Sequence, residues 1–416
     1  MLEMRYNIIM VKVMETIKTA IIGGGASGLF LASVLNDGNK TVLFERGDRV
    51  GKKLSATGNG QGNITNLAAE TTDYFTFDGQ GKTLVQDILA DANVENLYAY
   101  FQSLGVLLSA DERGRVYPMS KQASALTDAL RFCVAQKEVD VRLSTRVCDM
   151  EKTNGGFIVY AENAENGRKE KYFAEKVVLC AGGKAAKNFG TDGSAYALAE
   201  KLGHSVTGLY PSLVQLKTDV TYTKTLKGIR AADAGLTAVS KKGERVSLRG
   251  DVIFTDYGVS GDAVFRISAF IADKIADGAR LYIDFLPEVS EEEIFNALQT
   301  KRAAFPALAD NELLFGIVNN QIGRAVFKRA QGDLRQAAGL VKSFELTVTG
   351  SLGFDYAQVT KGGIALSEVT ENLESCFARG LYFAGEILDV DGPCGGFNLQ
   401  WAYSSAMRVA KALGAL

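Results

Sequence analysis

The chain has 416 residues, 47% hydrophobic and 23% charged, a composition typical of a soluble globular protein with a sizeable core. Its formal net charge of −2 excludes an overall basic field, so we expect no nucleic-acid partner. A single histidine excludes a multi-histidine metal site, and we expect no bound metal. No apolar run reaches the length of a membrane span, so no membrane partner is expected either. At about 150 residues per domain, the length predicts two or three domains.

The N-terminal residues and the cysteines bear on the compartment. Residues 1–17, "MLEMRYNIIMVKVMETI", lack a cleavage pattern of small residues, and we predict an N-terminal extension rather than a signal peptide. Five scattered cysteines without a C-x-x-C pair indicate a reducing compartment, so we expect a cytoplasmic protein. His204 directly follows a glycine typical of a helix end, and we expect it to be structural. The sequence does not indicate an oligomeric state.

Residues 17–46 predict a strand, a glycine turn, a helix and a second strand. Three glycines fill the G-x-G-x-x-G positions, where they allow a tight turn, close approach of a pyrophosphate and close helix–strand packing. An acid at the end of the second strand can accept hydrogen bonds from adenosine ribose hydroxyls. The alternative is a mere glycine turn, but the strand, the helix and the acid together favour a dinucleotide site. The residues predicted to bind the cofactor here are Gly23, Gly25, Ala26, Ser27, Gly28, Glu45 and Arg46.

A second segment, "GKKLSATGNGQGNITN" at 51–66, combines two lysines with small and amide residues. The lysines can offset phosphate charge, and the small residues can lie flat against a ring. The alternative is a flexible glycine linker, but Asn and Thr recur where hydrogen bonds would be needed. The predicted cofactor-binding residues are Lys52, Lys53, Gly58, Asn59, Gly60 and Asn63.

Two later strands favour FAD over NAD as the dinucleotide. The strand "EKVVLCAGG" at 175–183 follows a predicted meander and ends in small residues, and "GLYFAGEILDVDG" at 380–392 ends in Gly-Glu. Two-domain FAD enzymes return to the flavin in this way, and a late strand brings an acid to the ribityl chain. The residues predicted to contact the cofactor are Val147, Ala181, Gly182, Gly183, Gly385, Glu386 and Asp391.

The C-terminal stretch "GPCGGFNLQWAYSSAMR" at 392–408 predicts a helix that begins in a glycine-rich turn. Glycines at this point allow backbone N–H groups to reach the pyrimidine edge of a flavin, whereas a side chain would hold the ring away. The helix end carries about half a positive charge, which favours the negative reduced ring. The predicted contacts are Gly395, Gly396, Asn398 and Leu399.

The middle of the chain predicts a separate β-rich unit. From about Ser205, short alternating strands appear at "LVQLKTDV", "GLTAVS", "RVSLRG" and "VIFTDYG", which indicate a small barrel or curled sheet. Helical segments follow, with a capping box at "SEEE" (290–293) and a helical run over "DNELLFGIVNNQIGRAVFKRA". The strand "SFELTVTG" (343–350) is predicted to close the barrel. Because no second G-x-G-x-x-G lies between a strand and a helix, a dedicated NAD(P)H domain is not expected.

Together these residues resemble the BaiN-like family of NAD(P)/FAD-dependent oxidoreductases, which are related to bacterial aminoacetone oxidases. The resemblance runs from about Lys18 and is carried by "GKKLSATGNGQGNITN", "GDVIFTDYGVSG", "VTKGGIALSEV" and "GLYFAGEILDVDGPCGGFNLQWA". It implies non-covalent FAD and an α/β fold, in which a two-part FAD-binding Rossmann-like domain of the glutathione-reductase-like kind carries an inserted β-barrel plus helical domain. The predicted divisions are an extension at 1–17, the FAD-binding domain at 18–204 and 351–416, and the insert at 205–350 with its helical part near 262–340.

One motif departs from the family pattern. Members usually carry Arg-Cys within G-G-R-C-N, where this chain has Gln61 and Gly62. Asn59, Gly60 and Asn63 remain, so the loop can still surround the cofactor. If the family Arg or Cys contacts substrate, the substrate or the rate of this protein differs.

These observations predict a flavoprotein oxidoreductase that transfers hydride through flavin N5 to or from a small organic substrate. If NAD(P)H reduces the flavin, it must come and go at the substrate face. The sequence identifies no catalytic acid or base: Tyr257, Asn59, Thr360 and Cys394 lie in motifs expected near the ring, but each has a packing or turn role as its alternative. Two other functions stay open, a flavin-dependent RNA-modifying transferase and a flavin-binding regulator without turnover.

Overall fold

A computed structural model describes residues 14–36, 40–70, 72, 74–79 and 81–415. Of the extension predicted for 1–17, residues 1–13 lie outside the described residues, and the first strand begins at Glu15. The strands, numbered in chain order, are β1 (Glu15–Ile22), β2 (Thr41–Phe44), β3 (Thr65–Asn66), β4 (Leu108–Ala110), β5 (Arg115–Pro118), β6 (Asp140–Arg142), β7 (Thr145–Thr153), β8 (Gly156–Asn163), β9 (Lys169–Leu179), β10 (Tyr210–Ser212), β11 (Leu216–Thr218), β12 (Arg230–Ser240), β13 (Arg245–Phe254), β14 (Gly258–Ser260), β15 (Ala279–Asp284), β16 (Phe344–Ser351), β17 (Val359–Lys361) and β18 (Leu381–Phe383). The α-helices are α1 (Ala26–Val34), α2 (Lys52–Ser55), α3 (Gly81–Asp91), α4 (Val94–Ser103), α5 (Ala123–Gln136), α6 (Tyr196–Glu200), α7 (Asp262–Ile271), α8 (Glu291–Ala304), α9 (Asn320–Ala330), α10 (Leu334–Lys342) and α11 (Phe397–Ala412).

The main sheet has the strand order β6-β2-β1-β9-β8-β7. Strands β6, β2, β1 and β9 run parallel, whereas β8 and β7 form an antiparallel meander with β9. All four residues of β2 are buried, as expected for a parallel strand covered on both faces. Strand β18 pairs in parallel with the last residues of β9, beyond the segment that pairs with β8. The C-terminal part of the chain therefore returns to the sheet that the N-terminal part begins.

The first and the last helix that the structure describes pack against each other beside the main sheet. Helix α1 lies against α11, where the rings of Phe30 and Tyr403 meet edge to face with centroids 5.2 Å apart. Trp401 is almost fully buried in α11, and its indole nitrogen donates a hydrogen bond of 3.1 Å to the carbonyl of Gly385. This packing fixes the first turn of α11 relative to the end of β18.

The middle segment forms a closed barrel with the order β11-β14-β13-β12-β15-β16. It has its own hydrophobic core, which includes Phe254, Ile267 and Phe344, separate from the core around the main sheet. Strands β10 and β17, which flank the barrel strands in the chain, form a separate antiparallel pair. These observations confirm the predicted fold class, a Rossmann-type α/β unit with a β-barrel and helices, while the predicted domain boundaries stay predictions.

Some local predictions need correction. The segments "RVSLRG" and "VIFTDYG" were expected as two strands, but Arg245–Phe254 is one continuous strand, β13. The helical run expected from Asp310 is interrupted, and α9 begins only at Asn320. Gly316 adopts φ +71°, which a helix does not allow, and the side chain of Asn319 caps α9 by accepting a hydrogen bond from the Gln321 amide.

Candidate functional site

A cavity of about 1350 Å³ lies where the carboxyl ends of the parallel strands meet the barrel. The glycine turn after β1, the 51–66 segment, the end of β9 and the start of α11 form its wall on the side of the main sheet. Residues of β13, β14 and α7 line it from the barrel. Most residues predicted to bind the cofactor line this cavity, and those that do not are Gly28, Gly60, Gly183, Gly385 and Asp391.

The three motif glycines have different environments. A Cβ on Gly23 would lie 2.6 Å from the carbonyl oxygen of Cys180, and one on Gly28 would lie 2.0 Å from the carbonyl oxygen of Gly23. Both glycines are therefore required by packing between β1, α1 and β9. A Cβ on Gly25 would meet no atom of the described residues within 4 Å, although Gly25 lines the cavity. The open space beside Gly25 matches the approach of a pyrophosphate to the backbone.

Glu45 accepts two backbone hydrogen bonds at the end of β2. Its Oε2 accepts from the Gly24 amide at 2.9 Å, and its Oε1 accepts from the Gly47 amide at 2.6 Å. The carboxylate thus fixes the glycine turn and still has lone pairs that can accept ribose hydroxyls. Next to it, the Arg46 guanidinium forms an ion pair of 2.6 Å with Asp192, which joins this edge to the loop after β9.

Both lysines of the 51–66 segment are paired with carboxylates. Lys52 pairs with Asp48 at 2.5 Å, and Lys53 pairs with Glu386 at 2.7 Å. The other oxygen of Glu386, Oε1, accepts from the Thr360 amide at 2.9 Å. The Lys53–Glu386 pair therefore joins the 51–66 segment to the residues that follow β18, along the cavity wall. The lysine charges are already matched, so they contribute less phosphate attraction than the sequence predicts.

The motif that departs from the family pattern divides between the cavity and the core. Gln61 lines the cavity, whereas Gly62 does not. Gly62 has φ +79°, and a Cβ there would lie 2.8 Å from the Cα of Ala123 in α5. Of the two departures, the change at Gln61 is therefore the one that alters the cavity wall.

Most of the predicted residues that do not line the cavity pack behind its wall. A Cβ on Gly183 would lie 2.4 Å from Thr360 Oγ1, and one on Gly385 would lie 2.6 Å from Ser27 Oγ, so both glycines serve close packing. Gly60 is exposed in the loop. The Asp391 carboxyl is 3% exposed and lies behind the wall rather than on it.

The start of α11 is held by Asn398. Its Oδ1 accepts from the Gly392 amide at 2.9 Å, and its Nδ2 donates to the Gly392 carbonyl at 2.8 Å. Asn398 therefore closes the turn that presents Cys394, Gly395 and Gly396 to the cavity. The predicted contacts Val147, Ala181, Gly182 and Leu399 also line the cavity.

The four residues considered for catalysis lie in different environments. Thr360 is buried, and its Oγ1 accepts from the amides of Lys184 and Ala185 at 2.7 and 2.9 Å, so it has a structural role. Tyr257 precedes β14 and does not line the cavity. Asn59 and Cys394 do line it. Burial raises the pKa of the Cys394 thiol, and Asp262 raises it further, so this thiol stays protonated at neutral pH.

His204 is buried in the core, as its position after a helix end predicts. Its Nε2 is 2.7 Å from Ser375 Oγ, and its ring packs edge to face on Phe383 and Phe377. Burial lowers its pKa, an effect that Glu368 partly opposes, and the imidazole is therefore neutral near pH 7. It does not line the cavity.

Several cavity residues were not identified from the sequence. They come from β5 and the turn before it, from β13 and from α7: Arg113, Arg115, Tyr117, Arg249, Asp262 and Arg266. In "RVYP", a buried valine lies between an arginine and a tyrosine, and this alternation of period two is the one sequence signal that the strand has a polar face.

The described residues fit FAD. Helices α1 and α11 both begin on the cavity wall, and neither has a side chain that caps its first amides. Uncapped N–H groups and the positive end of a helix dipole bind anions, such as a pyrophosphate at α1 and an electron-rich ring edge at α11. The open space at Gly25 and the acceptor oxygens of Glu45 and Glu386 complete a set of groups suited to pyrophosphate, ribose and ribityl hydroxyls.

Comparison with known families identifies the fold group of this site. Residues 17–412 match the HI0933-like protein Rossmann domain. The chain belongs to the HI0933-like family. It is 33% identical over 413 residues to a 3-dehydro-bile acid delta(4,6)-reductase of Clostridium scindens, a match that spans 95% of this chain and 98% of that protein. It is also 26% identical over 417 residues to the ribosomal RNA dihydrouridine synthase of Escherichia coli, across 96% and 98% of the two chains.

Solved structures share the fold of this HI0933-like chain at low sequence identity. A 3-ketosteroid delta1-dehydrogenase from Sterolibacterium denitrificans matches with a TM-score of 0.52 and 14% identity, covering 96% of this chain and 100% of that one. A flavocytochrome c3 fumarate reductase matches with a TM-score of 0.50 and 15% identity, covering 97% and 79%. These structures show the fold alone, whereas the family match and the match to a named reductase show that the HI0933-like chain is an FAD-dependent oxidoreductase. This result favours the enzyme over the alternative of a flavin-binding regulator without turnover.

The described residues contain neither a helix suited to a membrane nor a cluster suited to a metal ion. Within 14–36, 40–70, 72, 74–79 and 81–415, no helix is both long and apolar enough to cross a membrane. In the same residues, no group of three or more His, Cys, Asp or Glu side chains is arranged to hold a metal ion.

Proposed function

We propose that this FAD-dependent oxidoreductase reduces a carbon–carbon double bond conjugated to a carbonyl group in a small organic molecule, with NAD(P)H as the electron donor. The near full-length match to a delta(4,6)-reductase carries the proposal. The names of the two relatives indicate the same chemistry, because both denote a reduction. The two substrates, a 3-dehydro compound with a delta-4 double bond and a uridine, are both conjugated carbonyl compounds.

The residues that hold the cofactor are proposed from the cavity wall. The amides at the start of α1 bind the pyrophosphate, and Glu45 accepts the adenosine ribose hydroxyls. Glu386 accepts the ribityl hydroxyls while Lys53 holds its carboxylate in place. The uncapped start of α11 lies at the electron-rich edge of the ring. When bound, FAD supplies hydride at N5, and the protein supplies orientation and local charge.

The substrate is proposed to enter between the main sheet and the barrel. This face of the cavity is lined by β5, the start of α11, β14 and α7. Because the HI0933-like chain shows no second glycine-rich nucleotide motif, NAD(P)H is proposed to use the same face in turn with the substrate. That order corresponds to alternating reduction and reoxidation of one bound flavin.

A second candidate is reduction of a uridine base in ribosomal RNA. The dihydrouridine synthases of Escherichia coli and Haemophilus influenzae, 26% and 27% identical over nearly the whole chain, favour it. The net charge of −2 opposes it, since RNA affinity depends strongly on phosphate neutralisation. The higher identity to the bile-acid reductase favours the small-molecule substrate.

The test is an anaerobic titration of the purified holoprotein with NADH and NADPH, followed at the flavin absorption band. Loss of that band with either nucleotide is expected. The reduced protein is then mixed with a 3-oxo-4-ene steroid, with cyclohexenone and with unmodified ribosomal RNA, and return of the band is recorded. Reoxidation by a small conjugated ketone supports the proposal, reoxidation by RNA alone supports the second candidate, and reoxidation by oxygen alone contradicts both.

A further inference from the structure

Tyr117 is a buried cavity residue with an unused hydroxyl group. Its side chain lines the cavity and is 7% exposed. Among the residues that the structure describes, no side chain or backbone group forms a hydrogen bond with its Oη. The oxygen is not one of the fully buried polar atoms that lack a partner, so it is open to the space of the cavity. This hydroxyl is therefore available to a molecule in the cavity.

Strand β5 places Arg115 on the same side as Tyr117. Val116 between them is fully buried, so the residues before and after it project from the opposite face toward the cavity. Pairing of β5 with β3 on one edge and with β4 on the other fixes this register. The two side chains are thus presented by a strand rather than by a mobile loop.

Both residues lie where the two cofactor loops meet. The Cβ position of Gly58 in the 51–66 segment is 3.4 Å from Tyr117 Cε1. The Cβ position of Gly395, directly before α11, is 3.7 Å from Arg115 Cγ. Tyr117 and Arg115 therefore face the end of the cavity at which the flavin ring is proposed to lie.

The charge of Arg115 is held in a fixed direction. Its Nε and NH2 groups donate to Asp111 at 2.8 and 2.7 Å, and the remaining N–H groups of the guanidinium have no partner in the part of the chain that the structure describes. Lys121 Nζ lies 4.0 Å from the centre of the Tyr117 ring and adds a second positive charge beside it. Burial raises the pKa of the Tyr117 hydroxyl, an effect that Arg115 partly opposes, so the phenol remains a hydrogen-bond donor at neutral pH.

Other charged groups at this end of the cavity add positive charge. Asp262 Oδ2 is shared by Arg113 at 3.3 Å and Arg266 at 3.4 Å, so one carboxylate faces two guanidinium groups. Arg249 also lines this side, although Asp233 and Glu288 pair with it. The balance of charged side chains at this end of the cavity therefore favours binding of an anionic oxygen over binding of a cationic group.

We propose that Tyr117 Oη and the Arg115 guanidinium form a binding subsite for a substrate oxygen that carries or gains negative charge, such as a ketone oxygen that becomes an enolate oxygen. The subsite adds a substrate-binding detail to the proposed function, and the identification of the oxygen as a ketone oxygen rests on that function. Reduced FAD would supply a hydride to the carbon β to the carbonyl, the π pair would move onto the oxygen, and a proton from water would then return the enolate to the ketone. Tyr117 and Arg115 hold the oxygen while it is charged, and donors placed where charge develops stabilise the reaction most.

The experiment uses 4-nitrophenol as a coloured probe for an oxygen that can ionise, with the oxidised holoprotein. Difference spectra over a pH series give the dissociation constant and the pKa of the bound probe, without turnover. We expect the bound probe to ionise at lower pH than the free probe. Tyr117→Phe and Arg115→Gln should each weaken binding of the ionised form about tenfold, as expected for loss of one hydrogen bond to a charged group.

The matched control is Tyr98→Phe, which removes the hydroxyl of a half-buried tyrosine on α4 that does not line the cavity. It should bind the probe like the unaltered protein. All variants are compared at equal bound FAD, measured from the flavin released on denaturation. An unaltered protein that does not bind 4-nitrophenolate, or a Tyr117→Phe variant with unchanged affinity, overturns the subsite. Because the probe is not reduced, these outcomes are separate from the NAD(P)H titration that tests the proposed function.

Discussion

A Cβ on Gly396 would lie 2.3 Å from the carbonyl oxygen of Thr65. Gly396 is the residue before α11 and has φ +101°, a conformation that side chains rarely adopt. The sequence explains the absence of a side chain here by the approach of a flavin ring. The structure gives a different reason, because the backbone of β3 already occupies the space. Gly396 therefore joins α11 to β3, and it also faces the cavity.

Gly396→Ala is expected to destabilise the FAD-free protein. Strain at a positive φ and overlap with Thr65 each cost about 1–3 kcal/mol, so the free energy of unfolding should fall by about 2 kcal/mol or more. Urea denaturation of the apoprotein measures it. If the variant shifts the flavin reduction potential while the apoprotein keeps its stability, the ring rather than β3 sets the requirement for glycine.

Gly25→Ala is expected to weaken FAD binding and to leave the stability of the apoprotein unchanged. Gly25 has φ −80°, and among the residues that the structure describes no atom lies within 4 Å of its Cβ position. The apoprotein should therefore keep its free energy of unfolding within about 0.5 kcal/mol. The added methyl group occupies the space proposed for the pyrophosphate, and FAD affinity should fall at least about tenfold. Fluorescence titration with FAD measures the affinity.

Gly28→Ala is the matched control, since a Cβ there would lie 2.0 Å from the Gly23 carbonyl oxygen. This variant should lose stability in the apoprotein itself. Equal effects of both substitutions on the apoprotein would contradict the distinction between an open and a packed glycine.

These glycines illustrate what the sequence can predict. The G-x-G-x-x-G spacing identifies the turn and the helix because local order determines both, and alternation along β12 and β13 likewise identifies barrel strands. That Gly23 is packed while Gly25 faces open space depends on a distant residue, because the Cβ position of Gly23 meets the carbonyl oxygen of Cys180, which directly follows β9. Arg115 and Tyr117 were not identified for the same reason, since β5 faces the cavity only through its pairing with β3 and β4.

Glu45 shows how a functional prediction changes once the contacts are known. The sequence predicts that Glu45→Ala weakens FAD binding without unfolding the domain. In the structure, alanine also leaves the Gly24 and Gly47 amides without an acceptor. We therefore expect weaker FAD binding together with a loss of about 1–3 kcal/mol of apoprotein stability.

Glu45→Gln separates the two effects, because its amide oxygen can still accept one backbone hydrogen bond. Denaturation of the apoprotein and FAD titration are measured on both variants. Glu45→Gln should lie closer to the unaltered protein in stability than Glu45→Ala. A stable Glu45→Ala apoprotein would contradict the structural role of this carboxylate.

The last prediction concerns the buried carboxyl of Asp391. Burial raises its pKa to about 8, Lys361 partly opposes this, and Asp389 and Glu386 add to it. Its Oδ1 has no hydrogen-bond partner among the residues described, which agrees with a protonated carboxyl. In the unfolded chain the pKa of the same carboxyl is about 4.

Between about pH 4 and about pH 8 the folded protein therefore holds a proton that the unfolded chain has released. The free energy of unfolding should fall as the pH rises through this window, by up to about 1.4 kcal/mol per pH unit, and level off above it. Asp391→Asn removes this titration, so its stability relative to the unaltered protein should increase from about pH 5 to about pH 8. Guanidinium denaturation of the apoprotein at several pH values measures both curves. Asp128→Asn, at a half-exposed carboxyl on α5 paired with Arg131, serves as control and should leave the pH dependence unchanged. Parallel curves for Asp391→Asn and the unaltered protein would mean that Asp391 is ionised in the folded state, with its charge matched by Lys361.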